Sequence, residues 1–248
     1  MDAILAFHSI DESGSVLSYR RDELARLIDG LHEEGVAIVP LSELLEPAAA
    51  APPRAALTFD DGMRSVRTDA LPILAAAKLP FTVFVVSSFV GRDNRWPTQP
   101  AGIARFELMD WKELEELRAA GAELGGHTAN HADLRGLDDT ELARELDDSR
   151  RALEDRLRSP VRHFAYPYGR FDERALARVR AGYASAVTTK LAFLPERAAA
   201  RDRHRLPRLD TWYLREPARR PPLFGARSRA RLALRALLRG AKGAVYGG

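Results

Sequence analysis

The sequence of 248 residues contains no cysteine. Disulfide bridges and thiolate metal sites are therefore excluded, and any bound metal must be held by histidine and carboxylate side chains. Histidine is scarce as well, with six residues in the chain. A metal site can therefore draw on very few positions, and each histidine is worth inspecting.

Long apolar runs are also absent. No segment approaches the roughly 20 apolar residues that a membrane-spanning helix requires. The N-terminus, which begins Met-Asp-Ala-Ile-Leu-Ala-Phe-His, has neither the basic region nor the apolar region of a signal peptide. As written, the chain is expected to stay in the cytoplasm.

Acidic residues are nearly absent from the C-terminal part of the chain. Residues 215–248 contain eight Arg, one Lys and one Glu, a net charge of +8, which leaves −5 for the remainder against a total of +3. A nucleic-acid-binding domain carries its basic residues across the fold rather than in a tail. We therefore expect no nucleic-acid partner, and nothing in the sequence fixes the oligomeric state.

The basic tail predicts an amphipathic helix. Arg227, Arg231, Arg235 and Arg239 recur every four residues, with alanines and leucines on the other face. Such a helix could lie on an anionic membrane, which would place the protein on the inner face of that membrane. Docking on the preceding domain and partial disorder are the alternatives. We divide the chain into a main domain, residues 1–216, and a basic extension, residues 217–248.

Short apolar runs alternate with helical patterns along the main domain. Strands are predicted at Ala3–Phe7, Ala55–Phe59 and Phe81–Val86, and helices at Asp22–Glu34 and Val66–Lys78. This alternation predicts an α/β protein with a parallel sheet and crossover helices. About seven such units favour a closed, distorted (β/α) barrel over an open sheet.

Polar residues follow several of the predicted strands directly. His8, the pair Asp60-Asp61, His127 and Tyr168 each stand at such a position. The carboxyl ends of the strands share one face of a parallel barrel, and active sites lie on that face. We therefore expect these distant residues to meet in space.

The segment from His127 to His131 places two imidazoles four positions apart. One helical turn, or a tight loop of similar pitch, points both rings the same way. Such a pair with one carboxylate is a common catalytic zinc set. Alone, the pattern is equally compatible with two surface or capping histidines.

The segment Thr58–Gly62 places two carboxylates side by side at the end of an apolar strand. An Asp-Gly turn, in which one Asp caps the next helix, explains one of the two carboxylates but not the pair. Crowding both together is costly without a nearby cation. The segment therefore indicates a cation site.

These segments together resemble the motifs of the polysaccharide deacetylase family (NodB homology, carbohydrate esterase family 4). Thr58–Gly62 is similar to the first motif, His127–His131 to the second, H-[ST]-x-x-H, and Phe164–Gly169 to the third. Ile4–Ile10 resembles the opening of a branch whose catalytic histidine lies near the N-terminus. The resemblance covers most of the chain, from Ala3 to Trp212.

The resemblance implies a metal-dependent hydrolase that removes an N-acyl group, with acetyl expected, from an amino sugar, a glycan or a lipid-linked sugar. It implies metal ligation by Asp61, His127 and His131, with zinc expected and cobalt or nickel as alternatives. It also implies that Asp60 is the general base that activates the attacking water.

The resemblance assigns the remaining roles less directly. The backbone N–H of Tyr168 is expected to bind the oxyanion, and His8 to protonate the leaving amine because the usual late Leu-x-His motif is absent. The third motif lacks its usual Arg, so Arg208 is the expected replacement that orients the base. Asp210 is the expected acidic partner of His8.

Two alternatives to sugar deacetylation remain open at this point. One is a non-catalytic barrel that binds glycan as an accessory protein, and the other is an amidase of the same family that acts on a small non-sugar amide. The long loop predicted from Ser87 to Phe106 bears on substrate binding. Its Trp96 either stacks on a sugar or anchors the loop in the core.

Overall fold

The computed structural model describes residues 1–47, 52–195, 202–215 and 222–246. The predicted boundary between residues 216 and 217 lies outside these ranges. Among the described residues, no helix is both long enough and apolar enough to cross a membrane.

The described chain contains ten strands, of which eight belong to one parallel sheet. The strands are β1 (Asp2–Phe7), β2 (Ser9–Ile10), β3 (Ser18–Tyr19), β4 (Ala37–Ile38), β5 (Arg54–Phe59), β6 (Thr82–Val85), β7 (Glu123–Gly126), β8 (His163–Ala165), β9 (Ser185–Leu191) and β10 (Leu206–Asp210). In the large sheet the order is β1-β10-β9-β8-β7-β6-β5-β4, and β1 also pairs with β5. Seven strands therefore close into a barrel, with β4 attached beside β5.

Helices surround the barrel and connect its strands. They are α1 (Arg21–Glu33), α2 (Leu41–Leu44), α3 (Leu71–Ala76), α4 (Trp111–Ala119), α5 (Asp139–Leu142), α6 (Ser149–Leu157), α7 (Glu173–Gly182) and α8 (Ala226–Tyr246). A π-helical segment, Val66–Ala70, leads into α3, and another, Ala143–Asp148, joins α5 to α6. The predicted distorted (β/α) barrel is confirmed.

The strands are apolar on both faces because the barrel is filled inside and covered outside. All six residues of β1 are buried, and so are all six of β5. Ile4 and Ala56 belong to the cluster that also contains Phe84 and Val187. Their neighbours along the strands, including Phe7, belong to the larger cluster that includes the helices. Alternate residues therefore serve two separate cores.

The predicted helix boundaries follow capping chemistry. At the start of α4 the Asp110 carboxylate accepts a 2.8 Å hydrogen bond from the N–H of Glu113, whose side chain accepts one from the N–H of Asp110. This reciprocal capping box fixes the start of the helix. Helix α1 ends before Gly35, which has the left-handed φ of 68° that favours glycine.

Helix α8 docks on the barrel through residues between 231 and 239. Leu232 is 5% exposed and packs into the outer core, and the Arg231 guanidinium donates a 3.2 Å hydrogen bond to the carbonyl of Tyr213. Of the alternatives open for the basic tail, docking is therefore the one observed.

Candidate metal centre and active site

The carboxyl ends of the barrel strands bring the predicted polar residues together. Asp60 and Asp61 follow β5, His127 follows β7, and His8 follows β1. Arg208 lies inside β10 and reaches the same end of the barrel through its side chain. Residues separated by up to 200 positions in sequence thus form one site, as expected for a parallel barrel.

Asp61, His127 and His131 form a buried cluster of possible metal ligands. Oδ1 of Asp61 lies 3.3 Å from Nε2 of His127 and 3.3 Å from Nε2 of His131. One ligand atom from each residue lies within 4.8 Å of the others. Oδ1 of Asp61 is buried and has no hydrogen-bond partner among the described residues. Two imidazoles and a carboxylate with an unpartnered oxygen fit a zinc-type cation.

The two imidazoles are oriented by different contacts. Nδ1 of His127 donates a 2.7 Å hydrogen bond to the carbonyl of Ala165, which leaves the Nε2 lone pair directed at Asp61. The ring of His131 stacks on Trp96 at 4.2 Å between centroids and meets Tyr168 edge-on at 4.6 Å. Trp96 is only 3% exposed, so the core-anchoring alternative is correct and its stacking partner is a histidine.

Several site residues adopt left-handed backbone conformations that non-glycine residues rarely use. The φ angles are 71° at Asp61, 65° at Thr128, 54° at His131 and 58° at Tyr168. Each costs roughly 1–2 kcal/mol relative to ordinary conformations. Two metal-ligand candidates are among the four, so the surrounding fold holds the cluster in place against this strain.

Charges in the cluster shift the protonation of its members. Burial alone would raise the pKa of Asp61, but the close imidazoles of His127 and His131 hold it well below the usual range. Burial would lower the pKa of His127, yet Asp61 and Asp60 raise it. For His131, burial prevails and the pKa is lowered. The carboxylate is therefore ionised, as a metal ligand must be.

Asp60 is fixed by a buried, bidentate ion pair with Arg208. Each carboxylate oxygen accepts a 2.7 Å hydrogen bond from the guanidinium, which also donates to Thr58 Oγ1 at 3.2 Å and to the Thr188 carbonyl at 3.1 Å. Burial would raise the pKa of Asp60, but the charge and hydrogen bonds of Arg208 lower it. Asp60 is thus an oriented, ionised carboxylate.

His8 lies on the open side of Asp60. Its Nε2 is 3.8 Å from Oδ2 of Asp60, and its side chain is 30% exposed, against 5% for the carboxylate. Within the described chain, no other carboxylate oxygen lies within 4.0 Å of a ring nitrogen of His8. The imidazole can therefore reach both the buried base and a molecule that enters from solvent.

The structure does not bring Asp210 to His8. The Asp210 carboxylate accepts a 3.0 Å hydrogen bond from the N–H of Trp212 and lies 3.9 Å from the guanidinium of Arg239. It caps the 3₁₀ turn Thr211–Leu214 instead. Asp60, rather than the expected Asp210, is therefore the carboxylate beside His8. The Asp210 carboxylate is held by the N–H of Trp212, two residues further along the chain.

Tyr168 lies beside the metal-ligand cluster in the turn after β8. Its hydroxyl donates a 2.8 Å hydrogen bond to the carbonyl of Thr98, whose own hydroxyl donates to the carbonyl of His131 at 2.7 Å. These two hydrogen bonds connect Tyr168, through Thr98 in the loop after β6, to the backbone of His131, a candidate metal ligand.

Glu145 is a site residue that the sequence analysis missed. It is 7% exposed, and its carboxylate accepts hydrogen bonds from the N–H of Ala129 at 3.1 Å, the N–H of Asn130 at 2.9 Å and the side-chain amide of Asn130 at 2.7 Å. It therefore binds the loop between His127 and His131. One signal was present: Glu145 lies on the buried stripe of its helix with Leu142 and Leu146.

Known proteins resemble this chain in sequence. A family model described as polysaccharide deacetylase matches residues 48–186. YxkH of Bacillus subtilis is 26% identical over 192 residues, which are 75% of this chain and 64% of YxkH. The poly-β-1,6-N-acetyl-D-glucosamine N-deacetylase of Staphylococcus aureus is 26% identical over 129 residues, which are 48% of this chain and 42% of that protein. The chain thus spans less than two thirds of both curated relatives.

Solved structures resemble it in fold. IcaB from Ammonifex degensii superposes with a TM-score of 0.71 at 26% identity, covering 85% of this chain and 93% of IcaB. The deacetylase PplD from Streptococcus pyogenes, solved with acetate, gives 0.69 at 23% identity over 84% of this chain and 91% of PplD, a likeness of fold alone. Because the family model spans more than half of the chain, and because the barrel agrees with it, the chain belongs to the polysaccharide deacetylase family.

Proposed function

We propose that this protein is a metal-dependent N-deacetylase that hydrolyses the acetamido group of an N-acetylated sugar, glycan or lipid-linked sugar. The observation that carries the proposal is the juxtaposition of a buried Asp-His-His cluster with an oriented carboxylate, Asp60, at the open end of the barrel. The similarity to a poly-N-acetylglucosamine deacetylase supports the amino-sugar substrate.

Asp61, His127 and His131 are the proposed ligands, with zinc as the proposed metal and cobalt or nickel as alternatives. When bound, such a metal polarises the substrate carbonyl and lowers the pKa of water to about 7. The protein's own contribution is a fixed carboxylate and two imidazoles whose Nε2 atoms converge on it. Glu145 keeps the second ligand loop in place through the backbone of Ala129 and Asn130.

Asp60 is the proposed general base. Arg208 occupies one lone pair on each of its oxygens, so the carboxylate cannot rotate, while the remaining lone pairs stay available to accept a proton from the attacking water. Arg208 does not touch substrate in this scheme. It orients the base and keeps it ionised, the role that a third-motif arginine has in the family resemblance.

His8 is the proposed general acid. Its half-open position beside Asp60 lets it face both the base and the departing nitrogen of the substrate. In this scheme His8 gives its proton to the departing nitrogen as the substrate's C–N bond breaks, and the proton that Asp60 took from water returns to His8 through one bridging water, because 3.8 Å is beyond direct hydrogen-bond reach. The leaving amine then departs protonated.

Tyr168 is the proposed oxyanion residue through its backbone N–H. Its left-handed φ of 58° and its contact with His131 support a position beside the reacting carbonyl. A fixed donor aimed at the developing negative charge is worth roughly 3–4 kcal/mol in unrelated acyl-transfer enzymes.

The test is acetate release from N-acetylglucosamine oligomers and lipid-linked N-acetyl sugars, with metal-free and zinc-loaded protein. We expect zinc-dependent release that Asp60→Asn abolishes, while Asp155→Asn, an exposed acid on α6, leaves it intact. Stoichiometric zinc binding without release from any substrate would instead indicate a non-catalytic glycan-binding barrel or an amidase with a non-sugar substrate.

A further inference from the structure

Some arginines of α8 contact the barrel, although Arg235 among them is also exposed to solvent. The Arg235 guanidinium lies 5.4 Å from the ring centroid of Tyr213, and Arg239 lies 3.9 Å from the Asp210 carboxylate. Arg231 bonds the Tyr213 carbonyl. Arg231, Arg235 and Arg239 therefore lie against the barrel, and a membrane would have to meet another face of the helix.

Leucines occupy the outward face of the same helix. Leu234 is 58% exposed, Leu237 73% and Leu238 57%. Across the described chain only two other large apolar side chains are exposed, Val16 at 57% and Trp212 at 40%. The spacing of three and four residues places all three leucines on one face of the helix. Exposed apolar surface of this kind is typical of an interaction site.

An apolar groove runs alongside this face. It has a volume of about 1120 Å³ and lies between α8 and the end of β9, where Leu191, Phe193, Leu232 and Leu237 line it with several alanines. Lys190 and Arg229 are the charged residues in its lining. A groove that is apolar along its length and cationic at its border suits a molecule with a long apolar chain and an anionic head.

The charge of α8 selects among possible partners. The helix contains five Arg and one Lys and no acidic residue, and Arg227 and Arg229 are exposed beside the leucines. Two copies of this face would bring like charges together, which disfavours a dimer. An anionic surface is favoured instead, because it satisfies both the leucines and the cations.

We propose that the outward face of α8 docks on an anionic phospholipid bilayer. The leucines enter the acyl boundary, the groove takes up part of a lipid chain, and Arg227 and Arg229 contact phosphate groups. Phe224, just before α8, donates its N–H to Glu34 at the end of α1, and Arg239 within α8 lies beside Asp210 at the end of β10. The contact therefore reaches the barrel end that carries the candidate site.

Co-sedimentation with vesicles tests this proposal. Vesicles of phosphatidylcholine alone are compared with vesicles that also contain phosphatidylglycerol, at low and high salt. We expect binding only to the anionic vesicles and weakening by salt. The triple variant Leu234→Gln/Leu237→Gln/Leu238→Gln should abolish binding. Arg227→Gln/Arg229→Gln should weaken it by about fivefold per arginine.

Matched controls are available elsewhere on the surface. Val16→Gln removes a similarly exposed apolar side chain, and Arg144→Gln removes an exposed arginine of the α5–α6 helix. Both should bind vesicles like the wild type. Circular dichroism verifies the fold of each variant, and Leu237→Gln alone, at the most exposed position, serves if the triple variant is unstable.

Three results would overturn the proposal. They are equal binding to neutral and anionic vesicles, undiminished binding of the leucine variants, and a dimer in gel filtration that the triple variant converts to monomer, which would assign the face to a second copy. Acetate release from a soluble substrate should be the same in the triple variant and the wild type. Lipid docking can therefore fail or succeed independently of the proposed deacetylase activity.

Discussion

Arg208 and Asp60 are 148 residues apart in sequence and form two parallel hydrogen bonds of 2.7 Å inside the barrel. Both side chains are almost completely buried, at 2% and 5% exposure. Removing one member of such a pair leaves the other charge buried and unpaired, which costs more than the pair itself contributes. The contact should therefore matter for stability as well as for the proposed catalysis.

Arg208→Met should lower the free energy of unfolding by about 3–5 kcal/mol and reduce kcat by about 100-fold, because the base loses its fixed orientation. Urea denaturation and acetate release measure the two effects. The matched control is Arg54→Met, since Arg54 forms a buried pair with Asp2 at the other end of the barrel, with an N–O distance of 2.8 Å. It should lose comparable stability but keep kcat in the fraction that remains folded.

A double-mutant cycle separates pairing from general damage. Asp60→Asn introduced into Arg208→Met should cost less additional stability than Asp60→Asn in the wild type, because the charge that it would leave unpaired is already gone. Additive effects would contradict a coupled pair.

Metal loading should stabilise the protein through the buried cluster. Zinc at a hundredfold excess over its Kd should raise Tm by roughly 5–10 °C, the equivalent of about 2.7 kcal/mol for a chain of this size. His131→Gln should lose both the shift and stoichiometric zinc binding in calorimetry. His163→Asn is the matched control, because His163 is also buried but lies at the amino end of β8; loss of zinc binding there would argue against the assigned ligands.

The loss of hydrolysis rate on removal of the His8 imidazole should increase with the basicity of the leaving group. His8→Ala should reduce hydrolysis of an N-acetyl sugar by about 100- to 10,000-fold. An aryl acetate, whose phenolate leaves without a proton, should lose far less. His32→Ala, at an exposed position on α1, should leave both rates unchanged. Equal losses on both substrates would point to a role other than proton donation.

Glu145 should act on the site through the loop that it binds. Glu145→Gln retains the size of the side chain but exchanges an acceptor for a donor that faces the N–H groups of Ala129 and Asn130. We expect zinc affinity to fall about 10- to 100-fold, measured by competition with a chromophoric chelator. Asp155→Asn should leave zinc affinity unchanged. A variant that destabilises the fold at a distance from this loop should lower Tm but also leave zinc affinity unchanged.

His163 should make folding sensitive to mild acid. Burial lowers its pKa below 6.5, with a nearby positive charge from Arg162 adding to the shift and Glu123 opposing it. The unfolded chain therefore takes up the proton first as pH falls, so stability declines from about pH 6.5 down to the folded pKa and then levels off. Tm measured from pH 7.5 to 5 should fall less steeply in His163→Asn than in the wild type.

The barrel was predictable because its strands are continuous apolar runs separated by helical patterns and capping residues. The positions of His8, Asp60, Asp61 and His127 followed from the same reasoning, since each comes directly after a strand. Their roles rest on the family resemblance, and the experiments above test them.

Other parts of the site depend on tertiary contacts that no local pattern specifies. The contact between Arg208 and Asp60 requires the register of β10 inside the barrel, and Asp210 was misplaced because a local cap competes for its carboxylate. Trp96 stacks on His131 only because the loop after β6 folds inward. The tail helix was predicted, but which of its faces turns to solvent depends on Tyr213 and Asp210.

The closure of the barrel by β1, which pairs with β5 on one side and β10 on the other, means that the barrel and the Arg208–Asp60 pair are completed by the same late strand. Asp60, His127 and His131 are synthesised well before that strand. Until residue 208 has been made, the Asp60 carboxylate has no buried cation, and the first strand has an open edge. The last strand to be synthesised therefore both closes the barrel and neutralises its buried carboxylate.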